Sequence, residues 1–151
     1  LTLTAALGLL VLLILLQAPD SQAACPLPLS SLPLSINGHA VNAELALTAA
    51  AQQCGLSRRD RLAPDHGMLF VFPRPVTIAF WMKDTRIPLS NAFLDDHGRI
   101  RAMADMAAEA RQSRHHPRAP YRYALEMNLG WFEQRQIQPG DLVKFTLSDA
   151  R

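Results

Sequence analysis

The residues of this chain that are best suited to chemistry lie in two short segments. The first is Trp81 to Thr85, where an indole, an ammonium, a carboxylate and a hydroxyl occur within five residues. The second carries Glu126 and Asn128, which are two apart on a predicted strand and therefore project from one face. If the segments adjoin, they form a candidate cluster of Trp81, Lys83, Asp84, Thr85, Glu126 and Asn128.

This candidate cluster has three interpretations. It could line a pocket for a small ligand. It could supply a general acid and base to a hydrolase or lyase, with Lys83, Asp84 and Glu126 as the working groups. The residues alone favour a structural role, with Asn128 capping a helix and Trp81 in the core, because structural networks also gather charged groups. Unless water reaches Lys83, we expect it to pair with Glu126 or Asp84.

Other kinds of site have little support in the sequence. The five histidines show neither the H-x-x-x-H spacing nor the paired CxxC context of metal sites, so no metal is expected. No nucleophile elbow, phosphate loop or dinucleotide-binding glycine motif occurs, so no cofactor is expected. The net charge of +2 is too small, and too little clustered, to predict nucleic-acid binding.

The first 24 residues are typical of a secretory signal. Ala5 to Leu16 is an almost unbroken apolar run. Its helix would be far shorter than a bilayer core of roughly 30 Å, so it is not expected to span a membrane. Pro19 follows, and the small residues Ser21 and Ala23 indicate cleavage after Ala23 or Ala24. We therefore expect a periplasmic or secreted protein whose mature chain has no transmembrane segment.

The only two cysteines are Cys25 and Cys54. In an oxidising compartment they can form one disulfide, which we predict. The alternative is a buried, free Cys54 with a disordered Cys25. A lipid anchor on Cys25 is less favoured, because Gln22 stands where a lipobox normally has an aliphatic residue.

The remaining pattern predicts one mainly β domain. We divide the chain into a signal peptide (1–24), an extended lead-in (25–38) and a single β domain (39–151). Six to eight short strands separated by turn signals predict a small β-sandwich or a jelly-roll-like barrel with two short helices. The helices are expected at Ala49 to Gln53, after Thr48, and at about 129–136, after Asn128. The strands are expected at 34–36, 39–47, 67–72, 76–82, 88–94, 99–106, 121–128 and 142–147.

A series of linked motifs resembles domain-of-unknown-function family 192 over about residues 39–147. The motifs occur in the order GMLFVF (67–72), FWMKDT (80–85), IPLSNAFLDDHGRI (87–100), YALEMN (123–128) and PGD (139–141). The resemblance implies a mainly β fold of the sandwich or jelly-roll kind and brings no activity with it. Two positions depart from the family pattern: Asp84 replaces a usual Asn, and Ser57 replaces a usual Met after Gly55-Leu56.

Three functions remain open on this basis. The leading one is an exported, non-enzymatic module that binds a small ligand or a partner protein of the cell envelope. The others are a hydrolase or lyase, and a structural or assembly factor of the envelope. An enzyme should hold Lys83 within hydrogen-bond reach of Glu126 in a concave pocket, a binding module needs only the pocket, and an assembly factor should expose an apolar patch instead.

Overall fold

Seven strands form a single curled sheet in the computed structural model, which describes residues 24–147. The predicted signal segment, apart from Ala24, lies outside the described residues. The sheet order is β5-β4-β6-β3-β2-β1-β7, and only the β2–β3 pair is parallel. The strands are β1 (Ser31–Ile36), β2 (His39–Ala46), β3 (His66–Val76), β4 (Leu89–Leu94), β5 (Ile100–Met106), β6 (Tyr121–Asn128) and β7 (Val143–Lys144).

The curl brings the two edges of the sheet close together. Backbone hydrogen bonds join residues 98–100, at the start of β5, to residues 140–143, which lead into β7. A Cβ on Gly98 would lie 2.7 Å from the Val143 carbonyl oxygen, so this approach requires glycine. The mainly β prediction is therefore confirmed, but the sandwich is replaced by one half-barrel sheet.

Each face of this sheet carries its own apolar cluster, which removes the need for a second packed sheet. The inner cluster, inside the curl, draws on all seven strands and includes Leu69, Leu125 and Phe132. The outer cluster lies on the opposite face of β3, β4 and β6 and includes Phe70, Phe80, Phe93 and Tyr121. Because strand residues alternate between faces, Ala124 and Glu126 face the outer cluster while Leu125 and Met127 face the inner one.

Only one of the two predicted helices is an α-helix. Helix α1 (Ala49–Cys54) begins after Thr48, whose side chain accepts a hydrogen bond from the backbone N–H of Ala51 at 3.1 Å. The second predicted helix is reduced to a 3-10 turn at Glu133–Arg135. Gly130 and Gln136, with φ of +78° and +56°, adopt left-handed backbone at its two ends and prevent a longer helix.

The predicted strand at 76–82 is also absent from the sheet. β3 instead continues to Val76, with a register shift, through Pro73 and Pro75, which cannot donate backbone hydrogen bonds. The chain then crosses the outer face, where Phe80 forms an isolated antiparallel β-bridge with His115. Phe80 and Met82 are buried in the outer cluster, so their apolar character serves packing rather than pairing.

A disulfide between Cys25 and Cys54 ties the lead-in to the end of α1, as predicted, with the two Cα atoms 5.5 Å apart. The lead-in side chains Leu27 and Leu29 pack against the outer cluster. The lead-in, the helix and the loops between strands therefore cover the outer face. Within residues 24–147, none of the helices has the length and apolarity needed to cross a membrane.

Replacing Cys25 with Ser should destabilise the oxidised protein. The bridge closes a loop across 29 residues of sequence, for which the loss expected from chain entropy is about 3–4 kcal/mol. Urea unfolding with and without a reductant measures the difference. Under reducing conditions the variant and the wild type should unfold at closely similar urea concentrations, and equal stability under oxidising conditions would show that the bridge does not constrain the fold.

Candidate functional site

A cavity of about 320 Å³ opens on the outer face of the sheet. Its floor is formed by β3 and β6, and its walls are formed by α1 with the turn after it and by the crossing segment 78–85. Most of the lining is apolar or aromatic, and one carboxyl group is exposed to it. The lining residues are Ala49, Gln52, Gln53, Cys54, Gly55, Leu56, Phe70, Phe72, Ile78, Ala79, Phe80, Trp81, Lys83, Thr85 and Glu126.

Glu126 supplies the carboxyl group of this cavity. It is 4% exposed and lies between Met68 of β3 and Asn91 of β4 in the sheet register. Across residues 24–147 the carboxyl accepts no hydrogen bond and pairs with no cation, so burial alone raises the pKa of Glu126 to about 8. At neutral pH the group is therefore largely protonated and can both donate and accept a hydrogen bond.

Asn91 is a second polar side chain at this point of the sheet. It is fully buried, and neither its amide nitrogen nor its amide oxygen has a hydrogen-bond partner within the described chain. Cross-strand neighbours have Cβ atoms about 5 Å apart, so the Asn91 amide stands beside the Glu126 carboxyl. Asn91 is not among the residues that line the cavity, so of these two groups only the Glu126 carboxyl faces it.

The sequence interpretation did not include Asn91. The available signal was an amide inside the segment 89–94, every residue of which is buried in the structure. An amide in such a strand needs a partner. What the sequence could not show is that β4 lies beside β6, since these strands are not consecutive in the chain.

The mouth of the cavity is formed by Trp81, which is 46% exposed. The Lys83 ammonium lies 5.4 Å from the centroid of its ring, and the Arg114 guanidinium carbon lies 4.5 Å from it. Lys83 is itself exposed to solvent and, within the described residues, forms no ion pair with Glu126 or Asp84. The expected pairing is thus replaced by hydration and by stacking on Trp81.

Four of the six predicted cluster residues line the same cavity, namely Trp81, Lys83, Thr85 and Glu126. Asp84 and Asn128 are not part of the lining. Asp84 has a left-handed backbone with φ of +56°, and its carboxylate accepts a hydrogen bond from Arg111 at 3.2 Å. The Asn128 amide donates to the carbonyl oxygens of Leu62 and Ala63 at 3.1 and 3.3 Å, which fastens the loop before β3.

A larger and more open depression of about 890 Å³ lies at the seam between β1 and β7. Its acidic and basic side chains, at Asp96, His97 and Lys144, are exposed, and its Tyr123 is partly exposed. It therefore lacks a buried polar group that needs a partner, which makes the smaller cavity the better candidate. Among residues 24–147, no group of three or more His, Cys, Asp or Glu side chains is arranged to hold a metal ion.

The raised pKa of Glu126 makes stability depend on pH in a defined direction. Between about pH 4.5, the ordinary value for this group, and about pH 8, the unfolded chain has lost a proton that the folded chain keeps. Stability therefore falls as pH rises through this window, on the order of 1 kcal/mol per pH unit. Glu126→Gln, which cannot ionise, should match the wild type near pH 4 and have the higher melting temperature near pH 8.

Glu44→Gln is the matched control for this experiment. Glu44 accepts a hydrogen bond from Arg59 at 2.8 Å in a partly buried ion pair. Its replacement removes a favourable charge pair and should lower the melting temperature near pH 8. A Glu126→Gln protein that is less stable than the wild type at pH 8 would show that the carboxylate is stabilised in the fold, contrary to its unpaired geometry.

Comparison with known proteins places this fold in a family. The family model of domain of unknown function 192, described as "Uncharacterized ACR", matches residues 32–145. A protein of unknown function from Novosphingobium aromaticivorans is 32% identical with a TM-score of 0.74, covering 82% of this chain and 95% of that one. A Sinorhizobium meliloti protein described as a "putative transcription regulator" is 31% identical with the same TM-score, covering 78% and 95%. A search of curated proteins finds no match. The resemblance carried by the strand motifs is confirmed: the chain belongs to domain-of-unknown-function family 192.

Proposed function

We propose that this protein is an exported binding module that takes a small, largely apolar molecule into the cavity and holds its polar end at Glu126. The observation that carries this proposal is the unpaired, buried carboxyl in the floor of an aromatic-lined cavity. Ligand sites commonly combine an apolar lining with a few polar groups that fix orientation. A volume of about 320 Å³ suits a molecule of one or two rings.

Binding fits the geometry better than hydrolysis or elimination by Lys83, Asp84 and Glu126. General acid–base work needs its groups within hydrogen-bond reach of one reacting centre. In the structure Lys83 stacks on Trp81, Asp84 pairs with Arg111, and Glu126 is bonded to neither. The enzymatic alternative would require these groups to rearrange when substrate binds.

An assembly role in the cell envelope has weaker support. The large exposed apolar side chains include Leu47, Ile78, Trp81 and Leu129. Ile78 and Trp81 lie at the cavity, where an apolar ligand would cover them. A concave site with a buried polar group favours a small molecule over an envelope protein as the partner.

Regulation of transcription, the role named for the Sinorhizobium meliloti relative, finds no support in the geometry. DNA-binding proteins often place an α-helix in the major groove. Within residues 24–147 the sole α-helix, α1, has six residues, and two of its residues are buried against the sheet. We therefore do not extend that role to this chain.

Export rests on the apolar run and cleavage pattern of residues 1–24 and is supported by a disulfide, which suits an oxidising compartment. The full chain, expressed behind an initiating methionine in a Gram-negative host, should be recovered outside the cytoplasm. Its mass should correspond to a mature chain that begins at Ala24 or Cys25. An uncleaved chain found in the cytoplasm would contradict this part of the proposal.

A thermal-shift screen of small aromatic acids, alcohols and amines tests binding. A compound present at tenfold its dissociation constant stabilises the folded state by about 1.4 kcal/mol, which corresponds to a rise in melting temperature of about 3–6 °C. Ala49 lines the cavity, whereas its neighbour Ala50 does not, and both are exposed. Ala49→Trp should therefore abolish the shift, and Ala50→Trp should preserve it. No shift with any compound, or equal loss in both variants, would refute the cavity as the binding site.

A further inference from the structure

The Glu126 carboxyl is the buried ionisable group of the cavity, and none of residues 24–147 forms an ion pair with it. Lys83 and Arg114 are the cations nearest the mouth, and both lie against the exposed ring of Trp81. Around the carboxyl, β3 places Met68 beside it, β4 places Asn91, and α1 has no ionisable side chain, so Lys83 of the segment 78–85 is the one cation among the lining residues. Tyr121 stays neutral, since burial raises its pKa and its hydroxyl donates to the Ile78 carbonyl.

A ligand can supply the missing charge. An ammonium group has three N–H donors and no acceptor. The cavity offers the two carboxyl oxygens of Glu126 as acceptors, and no residue within 24–147 forms an ion pair with them.

The cations at the mouth oppose an incoming ammonium only weakly. They are exposed, and charges in water are screened over about 8 Å at physiological ionic strength. The attraction to a buried carboxylate acts at an effective dielectric constant of about 20 rather than 80, which makes it about four times stronger at equal distance. The inner carboxylate therefore dominates the choice of ligand.

We propose that the cavity selects a primary amine with an apolar body, whose ammonium group pairs with Glu126 and whose body packs against Phe70, Phe72 and Phe80. This inference rests on the proposed binding function and specifies its ligand class. Binding exchanges the carboxyl proton for the ammonium, so one proton leaves the site when the amine enters below about pH 8. The aromatic walls can also attract such a cation through cation–π contacts.

Benzylamine, benzyl alcohol and benzoate form a matched set of probes with the same ring and a positive, neutral or negative end. Calorimetric titration of the mature protein is carried out between pH 6 and 9. At pH 8, benzylamine should bind more tightly than benzyl alcohol or benzoate. Its affinity should rise about tenfold per pH unit up to about pH 8 and then level off, because only the ionised fraction of Glu126 is competent to bind it. Buffers of different ionisation enthalpy should report the release of one proton near pH 6.

Glu126→Gln should remove both the preference for benzylamine over benzyl alcohol and the pH dependence of benzylamine binding. Glu44→Gln, which alters a carboxyl outside the cavity, should bind all three probes as the wild type does. Benzyl alcohol or benzoate binding as tightly as benzylamine at pH 8 would overturn the amine inference and leave the binding function standing. The amine inference would also be overturned if benzylamine failed to bind while other compounds of the screen bound. The binding function itself fails only if no compound of the screen binds the cavity.

Discussion

The burial of one carboxyl group is the constraint on which the organisation of the outer face depends. Removing the ionised Glu126 carboxylate from water without a charged partner costs several kcal/mol. In the folded protein the carboxyl avoids this cost by remaining protonated. A neutral Gln in the same place would avoid this penalty, so stability does not explain why a carboxyl is present here. Groups that lower stability in this way are concentrated at functional sites, which is the physical reason to regard this cavity as one.

The curled sheet holds the Glu126 carboxyl in this buried position. β6 lies between β3 and β4, so Leu125 and Met127 anchor it in the inner cluster while Glu126 faces outward. The outer face would be wet in an uncovered half-barrel. Here α1, the disulfide-tethered lead-in and the crossing segment 78–85 cover it, and they leave a cavity in front of the carboxyl. The same elements that desolvate Glu126 therefore also form the walls of the cavity.

Local sequence signals predicted those parts of the fold that depend on local chemistry. The strand at Tyr121–Asn128 has the predicted bounds, and α1 begins after Thr48, which caps it as predicted. The segment 76–82 was misassigned because alternating apolar residues suit a strand and equally suit an excursion that buries Phe80 and Met82. Asn91 was missed because its meaning depends on pairing between β4 and β6, which no local pattern encodes.

The central claim is that the Glu126 carboxyl is buried, unpaired and therefore protonated near neutral pH. Carboxyl carbon NMR of the mature protein, with the Glu126 resonance assigned by its absence in Glu126→Gln, follows this titration directly. The account predicts a midpoint near pH 8 in the free protein and a clearly lower midpoint when benzylamine is bound. A midpoint close to 4.5, the ordinary value for this group, would mean that water or a cation already reaches the carboxyl, and it would contradict the account.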